Sequence, residues 1–312
     1  MANRCIAITG CCGFLGHYVT EKLLARGDLV YGVDALTYAA DPTLPPKWIS
    51  QYGERFKFVN RDINDLGTLP DVDAIINLAA ETHVDLSLTD SARFVHTNVL
   101  GVQHLLEMVR AKSQYGMPVF IQASTDETYG EILDGAADEN APLNPSSPYA
   151  ASKAAADCLI LGWGRTFKVP YRIVRPANLF GLGQFPEKLI PKAVRRLMLG
   201  QAIPLHGDGK AERNWLWVED CATAILTVLD RGTNGEVYNV PGPTTASILD
   251  VALWITQAFG GGEYQCGFER PGLDRKYSMV DGKLGALGWK AIGEIRRDLP
   301  DLVTRERESL RW

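Results

Sequence analysis

Tyr149 and Lys153 stand four residues apart in a stretch predicted to be helical. Residues at this spacing share one face of a helix. An ammonium group beside a phenol favours the phenolate and lowers the pKa of the tyrosine, which suits Tyr149 as the base for an alcohol proton. A Tyr-Lys pair at this spacing is also a common structural feature, so the catalytic interpretation depends on other residues.

Support comes from residues 124–127, a polar segment that ends the fifth predicted strand. The Thr125 hydroxyl can hydrogen-bond the same substrate hydroxyl as Tyr149. Asp126 and Glu127 can serve as an acid and a base if their surroundings separate their pKa values, since one then takes a proton from carbon and the other protonates a leaving hydroxyl. The alternative is an exposed acidic turn, the commoner fate of such a pair. We favour catalysis because ligands of parallel sheets bind at this end of the strands.

A glycine-rich loop, residues 10–16, follows the first predicted strand and opens a helix. Its glycines permit a tight turn and let backbone N–H groups approach a pyrophosphate at the helix N-terminus. Asp34 ends the second strand, 18 residues beyond Gly16. A carboxylate there binds ribose hydroxyls and repels a 2′-phosphate, so the pattern predicts NAD rather than NADP. The alternative for the loop is a glycine-rich turn with a helix cap. Asp62, after the third strand, is in a position to contact the adenine amine of the cofactor, and the alternative for it is a simple turn residue.

These motifs must be positioned by strands that alternate with helices through the first half of the chain. Helices are predicted at 15–25, 92–111 and 149–167. Repeated βαβ units predict an α/β fold, a Rossmann-like doubly wound parallel sheet with right-handed crossovers. The predicted strands share Ile, Val and Phe side chains bounded by Gly, Asp or Asn, and they are 4–9, 29–33, 56–59, 74–78, 118–123 and 171–174.

The rhythm changes after Asn178, where glycine and proline become frequent and short strand-like pieces separate the helical segments 187–199, 219–229 and 248–259. We interpret this half as a smaller C-terminal α/β substrate lobe. No Ser/Gly-rich linker precedes it, so we do not expect a separate domain joined to the first by a flexible linker. The predicted division is 1–178, an NAD-binding Rossmann domain with the catalytic residues, and 179–312, mainly the substrate-binding lobe.

The composition excludes several classes of protein. The 312 residues include 32 basic and 37 acidic ones, for a formal charge of −5, whereas nucleic-acid-binding proteins and polybasic membrane anchors carry a basic excess. No apolar run reaches the ~18 residues needed to cross a bilayer. The opening residues are too soon interrupted for a signal peptide. Six scattered cysteines, without a CxxC pair or a nearby His at ligand spacing, predict reduced packing residues in a cytoplasmic protein and no metal site.

Taken together, these residues resemble the extended short-chain dehydrogenases/reductases, and specifically the dTDP-glucose 4,6-dehydratase family. The resemblance extends over nearly the whole chain. Its most specific part is the Thr-Asp-Glu-x-Tyr-Gly motif at 125–130, because related epimerases and decarboxylases generally lack the adjacent Asp-Glu pair. The other matching stretches are 9–16, 33–39, 78–85, 145–153, 185–191, 213–220 and 270–272.

The resemblance implies a three-step reaction. Tyr149, helped by Lys153 and Thr125, removes the proton from the sugar O4 while a hydride passes from C4 to NAD. Glu127 then takes the C5 proton, which the 4-ketone has made acidic, and Asp126 protonates the C6 hydroxyl so that water leaves. Hydride returns from NADH to C6 and gives a 4-keto-6-deoxy sugar. The cofactor is regenerated, and the site must be closed and dry.

The resemblance also implies binding residues and a homodimer formed by helices 92–111 and 149–167. Arg213 would hold the diphosphate of a nucleotide sugar, since an Arg fork suits phosphate oxygens, and Arg270 would lie beside it. The other implied substrate-binding residues are His83, Thr125, Glu187, Lys188 and Leu189. The implied cofactor-binding residues are Gly10, Gly13, Phe14, Leu15, Gly16, Asp34, Asp62, Ile63, Leu78, Ala79, Ala80, Tyr149, Lys153 and Asn178.

Five positions depart from the family pattern. Leu179 stands where a second Asn usually contacts substrate, and Leu273 replaces a His. Leu86, Asn214 and Ser247 stand in place of an Arg, an Asp and an Asn. The chemistry residues are intact, but the nucleotide base stays open between dTDP, UDP and another. Each lost polar contact to a charged group weakens binding by about 1.5–3 kcal/mol.

The sequence therefore predicts a soluble NAD-dependent nucleoside-diphosphate-hexose 4,6-dehydratase, with dTDP-glucose as the first candidate substrate. One alternative is a nucleotide-sugar 4-epimerase on the same scaffold, which needs only Tyr149, Lys153 and Thr125. A second is a non-catalytic NAD-binding regulator. The regulator is the weaker alternative, because it would not require Asp126 and Glu127 beside the other three.

Overall fold

The computed structural model describes residues 4–112 and 116–309. In this part of the chain the strands are β1 (Cys5–Thr9), β2 (Leu29–Asp34), β3 (Phe56–Asn60), β4 (Ala74–Asn77), β5 (Val119–Ala123), β6 (Tyr171–Pro176), β7 (Asn178–Phe180), β8 (Ile203–Leu205), β9 (Glu212–Trp217), β10 (Glu236–Val240), β11 (Thr244–Ser247) and β12 (Tyr264–Cys266). The α-helices are α1 (Phe14–Ala25), α2 (Leu44–Tyr52), α3 (Val84–Thr89), α4 (Ser91–Val95), α5 (Gly101–Ala111), α6 (Pro148–Phe167), α7 (Leu189–Met198), α8 (Val218–Arg231), α9 (Ile248–Phe259) and α10 (Ile295–Glu308).

Seven parallel strands form the main sheet, in the order β10-β6-β5-β4-β1-β2-β3. Its central strands are apolar because helices cover both faces. On β1, Ile6 and Ile8 pack with α1 and α8, while Ala7 packs with α5 and α6 on the other face. The predicted doubly wound α/β sheet is confirmed, and each of its six predicted strands is present.

The direction of winding reverses between β1 and β4, since the chain runs outward through β2 and β3 and then crosses back. Ligands of such sheets bind in the crevice outside the carboxyl ends of the strands at this point. Here the Thr9 hydroxyl, at the end of β1, donates to the side chain of Asn77, at the end of β4. The two strand ends that flank the crevice are therefore joined by their own side chains.

The seventh strand comes from beyond Asn178. β10 pairs with β6, with Asn239 opposite Arg175, and α8 packs against α1. The Lys22 ammonium lies 3.0 Å from the Glu219 carboxylate across that helix contact. Residues 1–178 thus supply six of the seven strands, and residues 218–240 of the predicted substrate lobe complete the sheet.

The rest of the C-terminal half forms a second core. β7 and β11 flank β9 in a three-stranded sheet, and β8 pairs with β12. Helices α7, α9 and α10 pack around this sheet, with Phe180, Trp215, Ile255 and Leu299 buried among them. Within residues 4–112 and 116–309, no helix combines the length and apolar character that crossing a membrane requires.

One predicted helix is interrupted. The segment 92–111 consists of α4, a π-helical turn at His96–Leu100, and α5. Asn98 in this turn is buried, and its side chain accepts a hydrogen bond from the Glu81 N–H (2.9 Å) and donates to the Glu81 carbonyl (3.0 Å) and to Ser152 Oγ (2.9 Å). Hydrophobic periodicity does not reveal such a turn, because its cause is a set of contacts to distant residues.

Candidate active site

A cavity of about 490 Å³ opens at the carboxyl ends of the main strands and extends beneath the second lobe. Its volume falls within the ordinary range for ligand sites. Every residue that the sequence analysis assigned to catalysis, cofactor or substrate lies on its wall. These residues are Gly10, Gly13, Phe14, Leu15, Gly16, Asp34, Asp62, Ile63, Leu78, Ala79, Ala80, His83, Thr125, Asp126, Glu127, Tyr149, Lys153, Asn178, Glu187, Lys188, Leu189, Arg213 and Arg270.

The two acids follow β5 on a single turn of 3-10 helix, Asp126–Tyr129. Thr125 caps this turn, because its hydroxyl accepts the Glu127 N–H (3.3 Å). The same hydroxyl donates to Asp126 Oδ1 (3.3 Å). Asp126 is buried and Glu127 is half-buried, so the exposed acidic turn considered above is not what the chain forms.

The surroundings of the two carboxyls differ in charge. Burial, together with the negative charge of Glu127, raises the pKa of Asp126 to about 7. Burial also raises the pKa of Glu127, but the cations Arg213, Lys188 and Arg270 act in the opposite direction. Near neutral pH the arrangement can therefore offer Asp126 as a proton donor and Glu127 as a proton acceptor.

Tyr149 and Lys153 lie on the first turns of α6, both buried. The Lys153 ammonium donates a hydrogen bond to the carbonyl oxygen of Ala123 at the end of β5, and burial lowers its pKa to about 8. The expectation that Lys153 lowers the pKa of Tyr149 is wrong for this structure. Burial and the Glu127 charge raise that pKa well above its ordinary value, and the Thr125 hydroxyl lowers it.

The N-terminus of α1 is open toward the cavity. The helix begins at Phe14, its N-cap is Gly13, and no side chain caps it. A Cβ at Gly16 would lie 1.9 Å from the Gly10 carbonyl oxygen, so the loop can pack this closely only with glycine there. Free N–H groups and the positive end of the helix dipole at the cavity wall suit a pyrophosphate.

Two further observations concern the dinucleotide. The Asp34 carboxylate accepts the N–H groups of Cys12 and Leu36, each at 2.8 Å, which fixes both oxygens at the cavity wall. The Asn178 Oδ1 atom is buried and has no hydrogen-bond partner among the described residues. An orphaned amide oxygen in the wall fits a polar group of a bound ligand.

Asp62 also lines the cavity, but its side chain caps a short 3-10 turn by accepting the Asn64 N–H (2.8 Å), as the alternative interpretation of Asp62 predicts.

Cations gather on the part of the cavity wall that faces Glu127. Arg213, on β9, is buried with its guanidinium 4.3 Å from the centre of the Tyr277 ring. Lys188 is the N-cap residue of α7 and donates to the Thr82 carbonyl (2.7 Å). These groups, with Arg270, face Glu127 and can bind a diphosphate.

Sequence reasoning missed several residues on this wall or in contact with it. Arg270 Nη1 donates to Asp85 Oδ1 (2.8 Å), and His206 Nε2 lies 3.4 Å from the other oxygen of Asp85. Tyr38 donates to Glu187 (2.9 Å) and so joins the loop after β2 to the loop before α7. Tyr38 and Asp85 fall within the matching stretches 33–39 and 78–85, which are a usable signal, whereas His206 lies outside all of the matching stretches.

The departures from the family pattern have two outcomes. Leu179 and Leu273 line the cavity and make its wall more apolar there. Asn214 instead pairs with the main chain of Gly242, and Ser247 forms a capping box with Asp250 at the start of α9. These two polar side chains are thus engaged by their own fold, and they lie outside the wall of the cavity.

The sequence model of the NAD dependent epimerase/dehydratase family matches residues 6–241. The chain belongs to this family. It is 41% identical over 292 residues to the low-salt glycan biosynthesis protein Agl12 of Haloferax volcanii, covering 91% of this chain and 93% of that protein. It is 38% identical over 321 residues to a dTDP-glucose 4,6-dehydratase of Streptomyces niveus, covering 98% and 94%.

Among solved structures, DesIV, the dTDP-glucose 4,6-dehydratase from Streptomyces venezuelae with NAD bound, matches with a TM-score of 0.93 and 34% identity over 98% of this chain and 97% of that one. The predicted membership of the extended short-chain dehydrogenases/reductases and the resemblance to dTDP-glucose 4,6-dehydratases are confirmed. NAD as the cofactor and an NAD-dependent sugar-nucleotide dehydratase, a hydro-lyase, as the enzyme class are confirmed as well.

Proposed function

We propose that this enzyme converts a nucleoside-diphosphate glucose, with dTDP-glucose as the first candidate, to the corresponding 4-keto-6-deoxyglucose. The observation that carries the proposal is the pair Asp126 and Glu127, which share one cavity with Tyr149 and differ in their charged neighbours. Oxidation at C4 needs a base for one hydroxyl proton. Loss of water across C5 and C6 needs two more proton-transfer groups, and the pair supplies them.

Binding precedes chemistry. Arg213, Arg270 and Lys188 hold the diphosphate, and Glu187, Leu189 and His83 line the space for the nucleotide. The α1 N-terminus, Asp34 and Asn178 would hold NAD, which when bound supplies hydride transfer away from C4 and later back to C6. In this division residues 1–178 bind NAD and carry the catalytic groups, while residues 179–312 mainly bind the nucleotide sugar.

In the first step the phenolate form of Tyr149 accepts the proton of the sugar O4 and becomes the phenol, and Thr125 hydrogen-bonds the same oxygen. Lys153 fixes the end of β5 beneath this site through the Ala123 carbonyl. The C4 carbonyl that forms makes the C5 proton acidic. Glu127 removes that proton, and Asp126 gives its own proton to the C6 oxygen, which leaves as water.

The cavity also needs to retain a reactive intermediate with a double bond between C5 and C6. The Tyr38–Glu187 hydrogen bond, with Phe185 edge-on to the Tyr38 ring at 5.1 Å, joins the loop after β2 to the loop before α7, and both Phe185 and Glu187 line the cavity. Leu179 and Leu273 add apolar wall on the substrate side. Excluding water from the site lowers the local dielectric constant and so strengthens the electrostatic interactions of the proton-transfer groups.

The proposal includes a cytoplasmic homodimer. Helices α4 to α6 would form the interface, and the half-exposed apolar side chains Val95 and Leu100 support this placement. The six free cysteines are consistent with a reducing compartment.

A panel of nucleoside-diphosphate sugars tests the proposal. Loss of one water from the product mass, with the alkaline absorbance of a 4-keto sugar, supports it and identifies the nucleotide base. An unchanged mass with inverted C4 configuration would indicate the 4-epimerase alternative, which the family also contains. Binding of NAD without conversion of any sugar in the panel would indicate the regulator alternative.

A further inference from the structure

The turn that carries Asp126 and Glu127 is only one turn of 3-10 helix. Short 3-10 turns have poor internal hydrogen-bond geometry, so contacts from outside must decide where their side chains point. The Thr125 hydroxyl caps the start of the turn from the cavity side. The far side of the turn, which faces away from the cavity, is held by a different set of groups.

Tyr129, the last residue of the turn, is 3% exposed. Its hydroxyl donates to Asn239 Oδ1 (2.7 Å) and accepts from Arg175 Nη1 (2.8 Å). Arg175 and Asn239 are opposite each other on the paired strands β6 and β10. The Arg175 guanidinium also lies 4.8 Å from the centre of the Tyr129 ring. The end of the turn is therefore joined to two strands of the main sheet.

The segment just before the turn reaches the same arginine through Asp157. Arg175 donates from Nε (3.0 Å) and Nη2 (2.9 Å) to Asp157 Oδ2, and the Ser124 hydroxyl donates to that oxygen as well (3.0 Å). Asp157 is fully buried on α6, one helical turn beyond Lys153. Three donors thus converge on one buried carboxylate oxygen, and removing either partner of the pair would leave an uncompensated buried charge.

We propose that Tyr129 is a positioning residue for the elimination step, because its hydroxyl ties the turn that carries Asp126 and Glu127 to the buried Arg175–Asp157 pair. The proposal rests on the proposed function, in which those two acids remove water. Tyr129 does not line the cavity and touches no reacting group. It is the tyrosine of the Thr-Asp-Glu-x-Tyr-Gly motif, to which the mechanism gives no other role.

Tyr129→Phe in the full-length enzyme tests the proposal, since it keeps the ring and removes the two hydrogen bonds. With a substrate that the wild type dehydrates, we expect C4 oxidation and KM within about twofold of the wild type, and elimination about tenfold slower. Bound NADH then accumulates during a single turnover. Exchange of solvent deuterium into C5 slows in proportion to elimination.

A second readout is independent of activity. In the free enzyme we expect the amides of residues 125–130 to exchange with solvent faster in Tyr129→Phe than in the wild type. Asn239→Ser removes the acceptor of the Tyr129 hydroxyl and leaves Arg175 in place. It should produce the same changes to a smaller degree, which keeps the test available if Tyr129→Phe folds poorly.

Tyr238→Phe is the matched control. Tyr238 is equally buried and precedes Asn239 on β10, but its hydroxyl accepts the Thr233 N–H (2.7 Å). We expect it to leave the partition between oxidation and elimination unchanged. Equal slowing of both steps in Tyr129→Phe, or unchanged exchange at 125–130, would overturn the positioning role. A wild type that dehydrates no sugar of the panel would overturn the proposed function instead.

Discussion

The ammonium of Lys153 donates its hydrogen bond to the main-chain carbonyl of Ala123. Ala123 is the last residue of β5, and the turn with Thr125, Asp126 and Glu127 follows directly. Lys153 therefore ties the helix that carries Tyr149 to the strand that carries the acids. In this structure its contribution is to set the distance between the two halves of the catalytic group.

Glu127→Gln should permit C4 oxidation and block elimination, because the amide cannot accept the C5 proton. Turnover to the 4-keto-6-deoxy sugar should fall at least about 100-fold, with NADH bound at a stoichiometry near one. Ultraviolet absorbance of NADH and the mass of the sugar measure the two outcomes. Glu131→Gln, in the exposed segment just past the turn, is the control and should behave as the wild type. Normal product from Glu127→Gln would refute the assignment.

The raised pKa of Asp126 predicts that activity falls at alkaline pH. Its pKa is about 7, and the acid form is the one that can protonate the leaving hydroxyl, so elimination should decline as the pH rises through about 7. In Asp126→Asn the remaining slow activity should lack this decline. Rate profiles of both proteins under single-turnover conditions provide the comparison, and an alkaline limit that survives in the variant would assign it to another group.

The same carboxyl predicts a change in stability. A folded-state pKa raised from 3.8 to about 7 means that protonated Asp126 stabilises the fold at low pH, and this contribution is lost as the pH rises through the folded value. Asp126→Asn should therefore gain stability relative to the wild type between about pH 5 and about pH 8. Denaturant unfolding of the two proteins at both pH values measures the difference. A constant difference would contradict the raised pKa.

Asp34 predicts the choice of cofactor. The wild type should bind NAD in preference to NADP, because the carboxylate accepts ribose hydroxyls and repels a 2′-phosphate. Asp34→Ser should weaken NAD binding by about tenfold to a hundredfold and reduce the ratio of the affinities for NAD and NADP. Calorimetric titration with each cofactor tests this, and Asp134→Ser on an exposed loop is the control. Equal affinity of the wild type for the two cofactors would remove the argument.

Arg213 predicts an effect on substrate binding. Its planar fork can hold two phosphate oxygens, which a lysine cannot do, so Arg213→Lys should raise KM by about tenfold to a hundredfold. Arg297→Lys, a solvent-exposed change on α10, should leave KM unchanged. Because Arg213 also faces Glu127, a smaller fall in kcat is expected to accompany the change in KM. An unaltered KM would place the diphosphate elsewhere.

Local patterns in the sequence sufficed for the sheet, the glycine loop and the acids at the end of β5. Each depends on residues close together along the chain, and strand ends of a parallel sheet converge by geometry alone. The missed contacts join distant positions: Tyr38 to Glu187 and Arg270 to Asp85 are separated by 149 and 185 residues. The hydrogen bond from Lys153 to the Ala123 carbonyl was also missed, because helical spacing predicts which face of the helix Lys153 occupies but not which acceptor its ammonium binds.

The place of β10 has a practical consequence for engineering. An enzyme with altered nucleotide preference could be sought by exchanging C-terminal halves between relatives at Asn178. Such a chimera would pair β6 and α1 of one parent with β10 and α8 of the other, and the Arg175–Asn239 neighbours would come from different proteins. A chimera that keeps residues 218–240 with the first half, and exchanges only the segments before and after them, would preserve the pairing of β6 with β10 and the packing of α1 on α8.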